Sequence, residues 1–270
     1  SEMCIRDRED IKAADGESED YYKKDDLIAT ITTDETGVAK LTDLPLGKYY
    51  VKEKETANGY VLDGTAREID LTYRDQDTAE VTYSSDWQNN RQKAEVKVLK
   101  KERDSDRVLE GAVFALYNKE DIVNANGDVI LKADTVIEEQ ATDKEGKLTF
   151  TADLPLGYTY YVKETSPASG FATTDQVQEF TFEYDGADKE TLSYEFTFED
   201  EPTVVEITKT SLTDGKELEG AKLEVTDEDG KVVDSWTSGK EAHIIKELVA
   251  GKKYLSLIHI SEPTRPLYIS

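Results

Sequence analysis

Three ionisable residues continue rows of apolar side chains where the sequence alternates as a β-strand does. Residues two apart in a strand share a face. In VKVLK, Val96, Val98 and Lys100 therefore lie together, and Lys97 and Lys101 take the other face. In YYVKE, Tyr160, Val162 and Glu164 lie together with Lys163 opposite; in FTFED, Phe196, Phe198 and Asp200 do so with Thr197 and Glu199 opposite. Burial disfavours both an ammonium and a carboxylate, so a lysine and two acids in one apolar environment would suffer opposed pKa shifts. A neutral amine is a nucleophile and a protonated carboxyl an electrophile, while a second protonated carboxyl can polarise that carbonyl and carry the proton. The product is an intramolecular amide. Parity alone leaves a second reading open, in which these residues end their strands and reach water.

The elements that would position them recur along the chain. EDI and a following Gly, Glu9 to Gly16, match Glu120 to Gly127 at an offset of 111. DLPLG at 43–47 matches 153–157 at 110, YYVKE at 49–53 matches 160–164 at 111, and LEGA at 109–112 returns at 218–221, an offset of 109. One whole repeat is flanked by two partial ones, and a period this long means a string of domains. Short alternating runs such as FALYN, LTF and FTFEY read as strands. TDETG at 33–37, TDKEG at 142–146 and TDEDG at 226–230 read as hairpin turns, each with a Gly able to take positive φ. Their aspartates lack the alternating oxygen donors and closing Glu of a calcium loop. No helical period is sustained, so the fold expected is all-β, a succession of β-sandwiches of about 100 residues each.

Composition narrows the partners. The 270 residues carry 59 Asp and Glu against 33 Lys and Arg, a formal charge of −26. Such a surface repels phosphate backbones and anionic lipid, which excludes most nucleic-acid binding. The single Cys, Cys4, precludes an intrachain disulfide, and no run is apolar for long enough to span a membrane. The ends depart from the body: SEMCIRDR holds the only Met and the only Cys, and LSLIHISEPTRPLYIS holds two of the six prolines and a single acidic residue. Both strings resemble translated sequencing-adapter read-through. Residues 1–8 and 255–270 are therefore set apart as non-native and kept out of the fold, and Cys4 is given no redox role.

The arrangement K…LEGAVFAL…DLPLGYTYYVKET…GF…FTFED resembles the Cna protein B-type, or SpaA-type prealbumin-like, domain of Gram-positive surface proteins, over most of residues 9–254. The resemblance implies tandem immunoglobulin-like or prealbumin-like sandwiches: a truncated domain over 9–91, a complete one over 92–201 and a truncated one over 202–254. It also implies an isopeptide bond in which a first-strand Lys joins an Asn or Asp on the last strand, catalysed by the Glu of the YxVKE-type segment. Lys100, eleven residues before Gly111, takes the lysine position, Glu164 the catalytic one and Asp200 the acceptor. Asn is more usual at the acceptor; with Asp the leaving group is water rather than ammonia. The corresponding residues in the partial copies are Glu53, Asn89 and Lys209. Asn89 is selected by parity with Tyr83 and Trp87, with Asn90 as the fallback, and Lys209 lies eleven before Gly220. Neither partial copy closes a bond on this reading: the first-copy lysine would precede residue 1, and the third-copy Glu falls at 257, where Leu257 stands.

The function expected is a structural stalk segment of a bacterial cell-surface adhesin or pilin-like protein, extracellular at the cell wall, with no enzymatic turnover, cofactor or metal. A body without cysteine fits a secreted chain that does not rely on disulfides. Its partners are neighbouring domains of the same chain, with host protein or carbohydrate met through regions outside this segment. A second reading is a binding module without a crosslink, in which loops or Tyr49, Tyr50, Tyr160 and Tyr161 recognise carbohydrate or host protein. A conventional enzyme finds little support, because the body has only His243 and no metal cluster, phosphate loop or nucleophile elbow. LPLG at 44–47 lacks the Thr and the hydrophobic tail of a sorting signal and reads as a turn.

Overall fold

The computed structural model describes residues 1–11, 22–211 and 213–259. Gly16 of the EDI match and residues 260–270 of the C-terminal segment lie outside the described residues. Every regular element among the described residues is a strand, and no helix is long and apolar enough to cross a membrane. The chain divides into two compact units. One comprises Ser1–Glu95, Asp153–Tyr158 and Thr181–Ser193, the other Val96–Ala152, Thr159–Phe180 and Tyr194–Ser270. This division does not follow the sequence repeats: two segments of the second repeat cluster with the first.

In the first repeat, β1 (Glu2–Asp7), β2 (Leu27–Thr32), β3 (Lys48–Glu55) and β4 (Arg67–Asp70) form one sheet in the order β2-β1-β3-β4. Its alternating residues Met3, Ile5, Tyr49, Val51 and Ile69 form a core with Ile11 and Leu71. In the second repeat the strands are β5 (Lys93–Glu102), β6 (Val113–Asn118), β7 (Ile122–Val123), β8 (Val129–Leu131), β9 (Val136–Ala141), β10 (Lys147–Phe150), β11 (Thr159–Ser166), β12 (Val177–Thr181) and β13 (Thr191–Asp200). They build a three-stranded sheet β10-β5-β13 and a four-stranded sheet β12-β11-β6-β9, with β7-β8 apart. The third repeat contributes β14 (Val204–Ile207), β15 (Lys222–Thr226), β16 (Val232–Thr237), β17 (His243–Lys246) and β18 (Leu255–His259), in sheets β14-β17 and β16-β15-β18.

The first and last strands of the second repeat are neighbours. Lys93 N donates to Glu190 O and Arg103 N to Asp200 O, each 97 residues apart in sequence, so β5 and β13 run in the same direction. Side chains from both sheets meet between them: Phe114 of β6 and Phe198 of β13 pack with ring centroids 4.8 Å apart. Val96, Val98, Leu116, Phe150, Tyr160 and Val162 complete the buried set. This is the two-layer packing that strand alternation predicts.

The structure departs from the sequence expectation at the termini. Residues 2–7, set apart from the fold, form β1 between β2 and β3. Met3 pairs with Glu53 and Ile5 with Val51, as Phe114 pairs with Glu164 and Leu116 with Val162 in the second repeat. β1 thus occupies the place of β6 at the same offset of 111, because Met3 and Ile5 supply the alternation that buries one face. The C-terminal segment likewise begins with β18, paired along β15. The expected last strand of the first repeat does not form, and residues 71–90 carry no strand. The described part of that repeat has no counterpart of β5 to pair with it.

The three TDxxG segments are turns with Gly37, Gly146 and Gly230 at positive φ. Only the last joins paired strands, β15 and β16. TDKEG carries the chain from β9 in one sheet to β10 in the other, so it is a corner of the sandwich and not a hairpin. In each turn the Asp side chain accepts a backbone N–H four residues on: Val38 to Asp34, Lys147 to Asp143 and Lys231 to Asp227. These carboxylates cap their own turns.

Candidate site for an intramolecular crosslink

β5 brings Lys100 to the core through the alternation Ala94, Val96, Val98, Lys100, all four buried. β13 does the same for Asp200 two residues after Phe198, and β11 for Glu164 two after Val162. The side chains of Lys100, Glu164 and Asp200 are completely inaccessible to solvent. The reading in which these residues reach water at strand ends is thereby excluded. Lys100 and Asp200 stand on adjacent strands of one sheet, and Glu164 faces them from the other.

Lys100 Nζ donates to Asp200 Oδ1, and it lies 3.1 Å from Glu164 Oε1. That second contact is at ion-pair distance without hydrogen-bond alignment, so Glu164 Oε1 has no hydrogen-bond partner, and neither has Asp200 Oδ2. Glu164 Oε2 accepts from Thr174 N at 3.1 Å, which fixes the carboxyl plane. The Phe114 ring closes the Lys100 side, with Nζ 5.6 Å from its centroid. One ammonium and two carboxylates would leave a net buried negative charge, so the site favours one extra proton. Burial accordingly pushes the Glu164 carboxyl above its ordinary range and Asp200 adds to the rise, against the Thr174 hydrogen bond and Lys100. The group beside the amine can thus exchange a proton with it, while the acceptor carboxyl already touches Nζ.

The first repeat assembles the other two expected residues. Asn89 Nδ2 donates to Glu53 Oε2 at 2.5 Å, to Val61 O at 2.9 Å and to Thr56 Oγ1 at 3.2 Å. Glu53 is buried, and Asp63 N donates to its Oε2 at 2.9 Å. Asn89 rather than Asn90 meets Glu53, although the strand assumed for that choice is absent. In the third repeat, Lys209 lies beyond β14 and its N–H donates to Glu217. The register of β15 and β18 sets Ile258 opposite Leu223, where Glu164 stands opposite Phe114. The position of the third Glu is therefore 258 rather than 257, and it too lacks a carboxylate.

Two contributors escape the sequence reading. Thr174 could have been found from the repeat itself, since Asp63 and Thr174 each lie ten residues after the Glu they hold. Phe114 could not, because its place over Lys100 depends on how the two sheets pack. Among the described residues no group of three or more His, Cys, Asp or Glu is placed to hold a metal ion.

A family model for the SpaA prealbumin-like fold domain matches residues 9–87, 94–196 and 203–258. The chain belongs to the SpaA prealbumin-like fold family. The three matched stretches follow the repeats, and the middle one contains Lys100 and Glu164. Among solved structures, the Bacillus anthracis TIE protein is similar over 96% of this chain at 24% identity and a TM-score of 0.56, which shows the shared fold. The chain spans 42% of that protein's length. A streptococcal ancillary pilin is similar over 98% of this chain and 89% of its own, at 17% identity and a TM-score of 0.33. BcpA, the major pilin subunit of Bacillus cereus, is similar over 94% of this chain and 82% of its own, at 15% identity and a TM-score of 0.37. No curated protein matches the chain by sequence.

Proposed function

We propose that this SpaA-family chain is a structural stalk segment of an extracellular pilin-like or adhesin protein at the bacterial cell surface, and that an isopeptide bond between Lys100 and Asp200 locks its second repeat. The observation that carries the reading is the sealed contact of Lys100 Nζ with Asp200 Oδ1 beside the Glu164 carboxyl. In the reactive arrangement the extra proton shared by the two acids sits on Asp200, Lys100 gives a proton to the Glu164 carboxylate, and the neutral amine attacks Cγ of Asp200. Glu164 then passes its proton to the departing hydroxyl and takes one from the nitrogen, which keeps a single hydrogen as the amide. One N–C bond forms, one C–O bond breaks and one water leaves, with no oxidant or cofactor.

The mechanical consequence follows from topology. β5 and β13 are parallel, and the bond joins them near the C-terminal ends of both. Force applied at the two ends of the repeat passes along Lys93–Lys100, crosses the bond and leaves after Asp200. Residues 101–199 then lie off the path of the load. The outward tyrosines favour this reading over a binding face, since both are engaged within their own repeats. Tyr161 stacks on Tyr117 and donates to Asp134, and Tyr50 donates to Asp25.

Single-molecule pulling on the whole chain tests the proposal. With the bond, unfolding of the second repeat releases no length from residues 101–199. The Lys100→Ala chain should gain roughly 3.3–3.6 Å for each of those residues. Equal released lengths in the two chains would refute the crosslinked stalk.

A further inference from the structure

The DLPLG motif and the glycine that follows each Glu strand have no part in the crosslink, yet they meet wherever one repeat follows another. Between the second and third repeats, Gly170 lies in the turn after β11 with φ of 86°. A Cβ there would stand 2.7 Å from Glu247 O and 2.9 Å from Glu247 Cβ. Glu247 opens the loop of the third repeat equivalent to DLPLG, four residues before Gly251 as Asp153 is four before Gly157. Thr203, in the three-residue connection between β13 and β14, joins the two sides. Its N–H donates to Gly170 O at 2.9 Å and its hydroxyl to Leu248 O at 2.6 Å, while Glu247 N donates to Thr203 O. Arg107 of the second repeat grips the Glu247 carboxylate through both terminal nitrogens, at 2.5 and 3.0 Å.

In the junction between the first and second repeats, the glycine and the connecting residue lie 111 residues earlier, at Gly59 and Gln92. Gln92 N donates to Gly59 O at 2.8 Å, as Thr203 N does to Gly170 O. The Gln92 side chain is buried and donates to Gly186 O and Lys189 O of the second repeat, at 2.6 and 2.9 Å. A Cβ on Gly59 would meet Leu156 of DLPLG at 3.3 Å, and Arg91 pairs with Asp153, the first residue of that motif. Two junctions with different side chains thus share two features, a left-handed glycine that abuts the loop ahead and a connecting residue that bonds that glycine and the next repeat; the loop's leading acid is held by an arginine from a different place in each, Arg107 of the β5–β6 connection and Arg91 of the connection between repeats.

We propose that the glycine turn closing each Glu strand is a socket for the DLPLG-type loop of the following repeat, so that successive repeats meet at a fixed joint instead of a free linker. The occupant is the next copy in the same chain, already seated at both junctions. This inference does not depend on the isopeptide bond, and the intact mass of each variant reports that bond separately.

The joint is testable by pulsed electron–electron resonance on the whole chain carrying Cys4→Ser, with spin labels at Lys144→Cys and Lys231→Cys, both exposed turn positions. One narrow distance population is expected. Gly170→Ala should broaden it, whereas Gly111→Ala should not, because Gly111 shares the positive φ but has no atom within 4 Å of an added Cβ. Thr203→Val combined with Arg107→Gln should broaden it too, and these changes impose no backbone strain. A broad distribution in the parent chain, or one that stays narrow in both the Gly170 and the Thr203/Arg107 variants, would overturn the proposal.

Discussion

Glu164 differs from the other buried acids in having one oxygen held by a backbone N–H and the other turned, unpaired, toward an amine. Glu164→Gln keeps the shape and the Thr174 contact but cannot take a proton, so the bond should fail to form in a chain that still folds, as read by mass and circular dichroism. Asp200→Asn makes a different prediction. An amide acceptor loses ammonia where the acid loses water, so the linked variant should converge on the mass of the linked parent. Asp7 is a second residue out of balance. It occupies the place of Asn118, which donates to Glu120 O and Lys132 O and accepts from Thr135 N. A carboxylate cannot donate, both Asp7 oxygens are buried without partners, and burial, with Asp26 and Asp10, raises its pKa from 3.8 to about 6. The folded state then holds the proton more tightly than the unfolded one. The first repeat should be most stable below the ordinary value of 3.8 and lose stability as pH rises through about 6, by at most about 3 kcal/mol. Asp7→Asn should flatten that slope in urea titrations at pH 4 and pH 7.

At the scale of elements, the LEGA motif shows how a short string is anchored. Thr142 is buried, donates its hydroxyl to Leu109 O at 2.7 Å and accepts from Ala112 N at 3.1 Å, pinning the turn at Gly111 that starts β6. Ser238 repeats this for LEGA of the third repeat, with Leu218 O and Ala221 N. Thr142→Val strands two buried backbone groups and should cost about 1–3 kcal/mol in denaturant unfolding, with the crosslink intact. Strand parity made Lys100, Glu164 and Asp200 legible, because a period of two assigns faces without reference to any neighbour. What it could not supply was the pairing order. The β9 to β10 turn looks like a hairpin until the partners of each strand are known. Likewise, Met3, Ile5 and Leu255–His259 carry the alternation of β1 and β18, but the composition of those strings sets them apart from the body of the chain. Asn89 meets Glu53 although its segment is not a strand, since its hydrogen bonds to Glu53 and Val61 O hold it without a ladder.

For the molecule as a whole, the proposed crosslink and the proposed joints address different weaknesses. A domain pulled from its ends yields where its terminal strands part, and the proposed bond between β5 and β13 removes that route. It also closes a loop of about 100 residues, for which the chain-entropy model gives about 4 to 5 kcal/mol. Lys100→Ala should therefore lower the unfolding free energy of the second repeat by an amount of that order, increased by the unpaired acids it leaves buried, as read by denaturant titration. Redox state should have no effect, because the chain's one Cys is free. The most direct test is the intact mass of the purified 270-residue chain beside its Lys100→Ala and Glu164→Gln variants. The parent should fall one water below the mass calculated from its sequence, and both variants should show their full calculated masses. A parent at full mass would contradict the crosslink and leave three buried ionic residues in an ordinary β-sandwich.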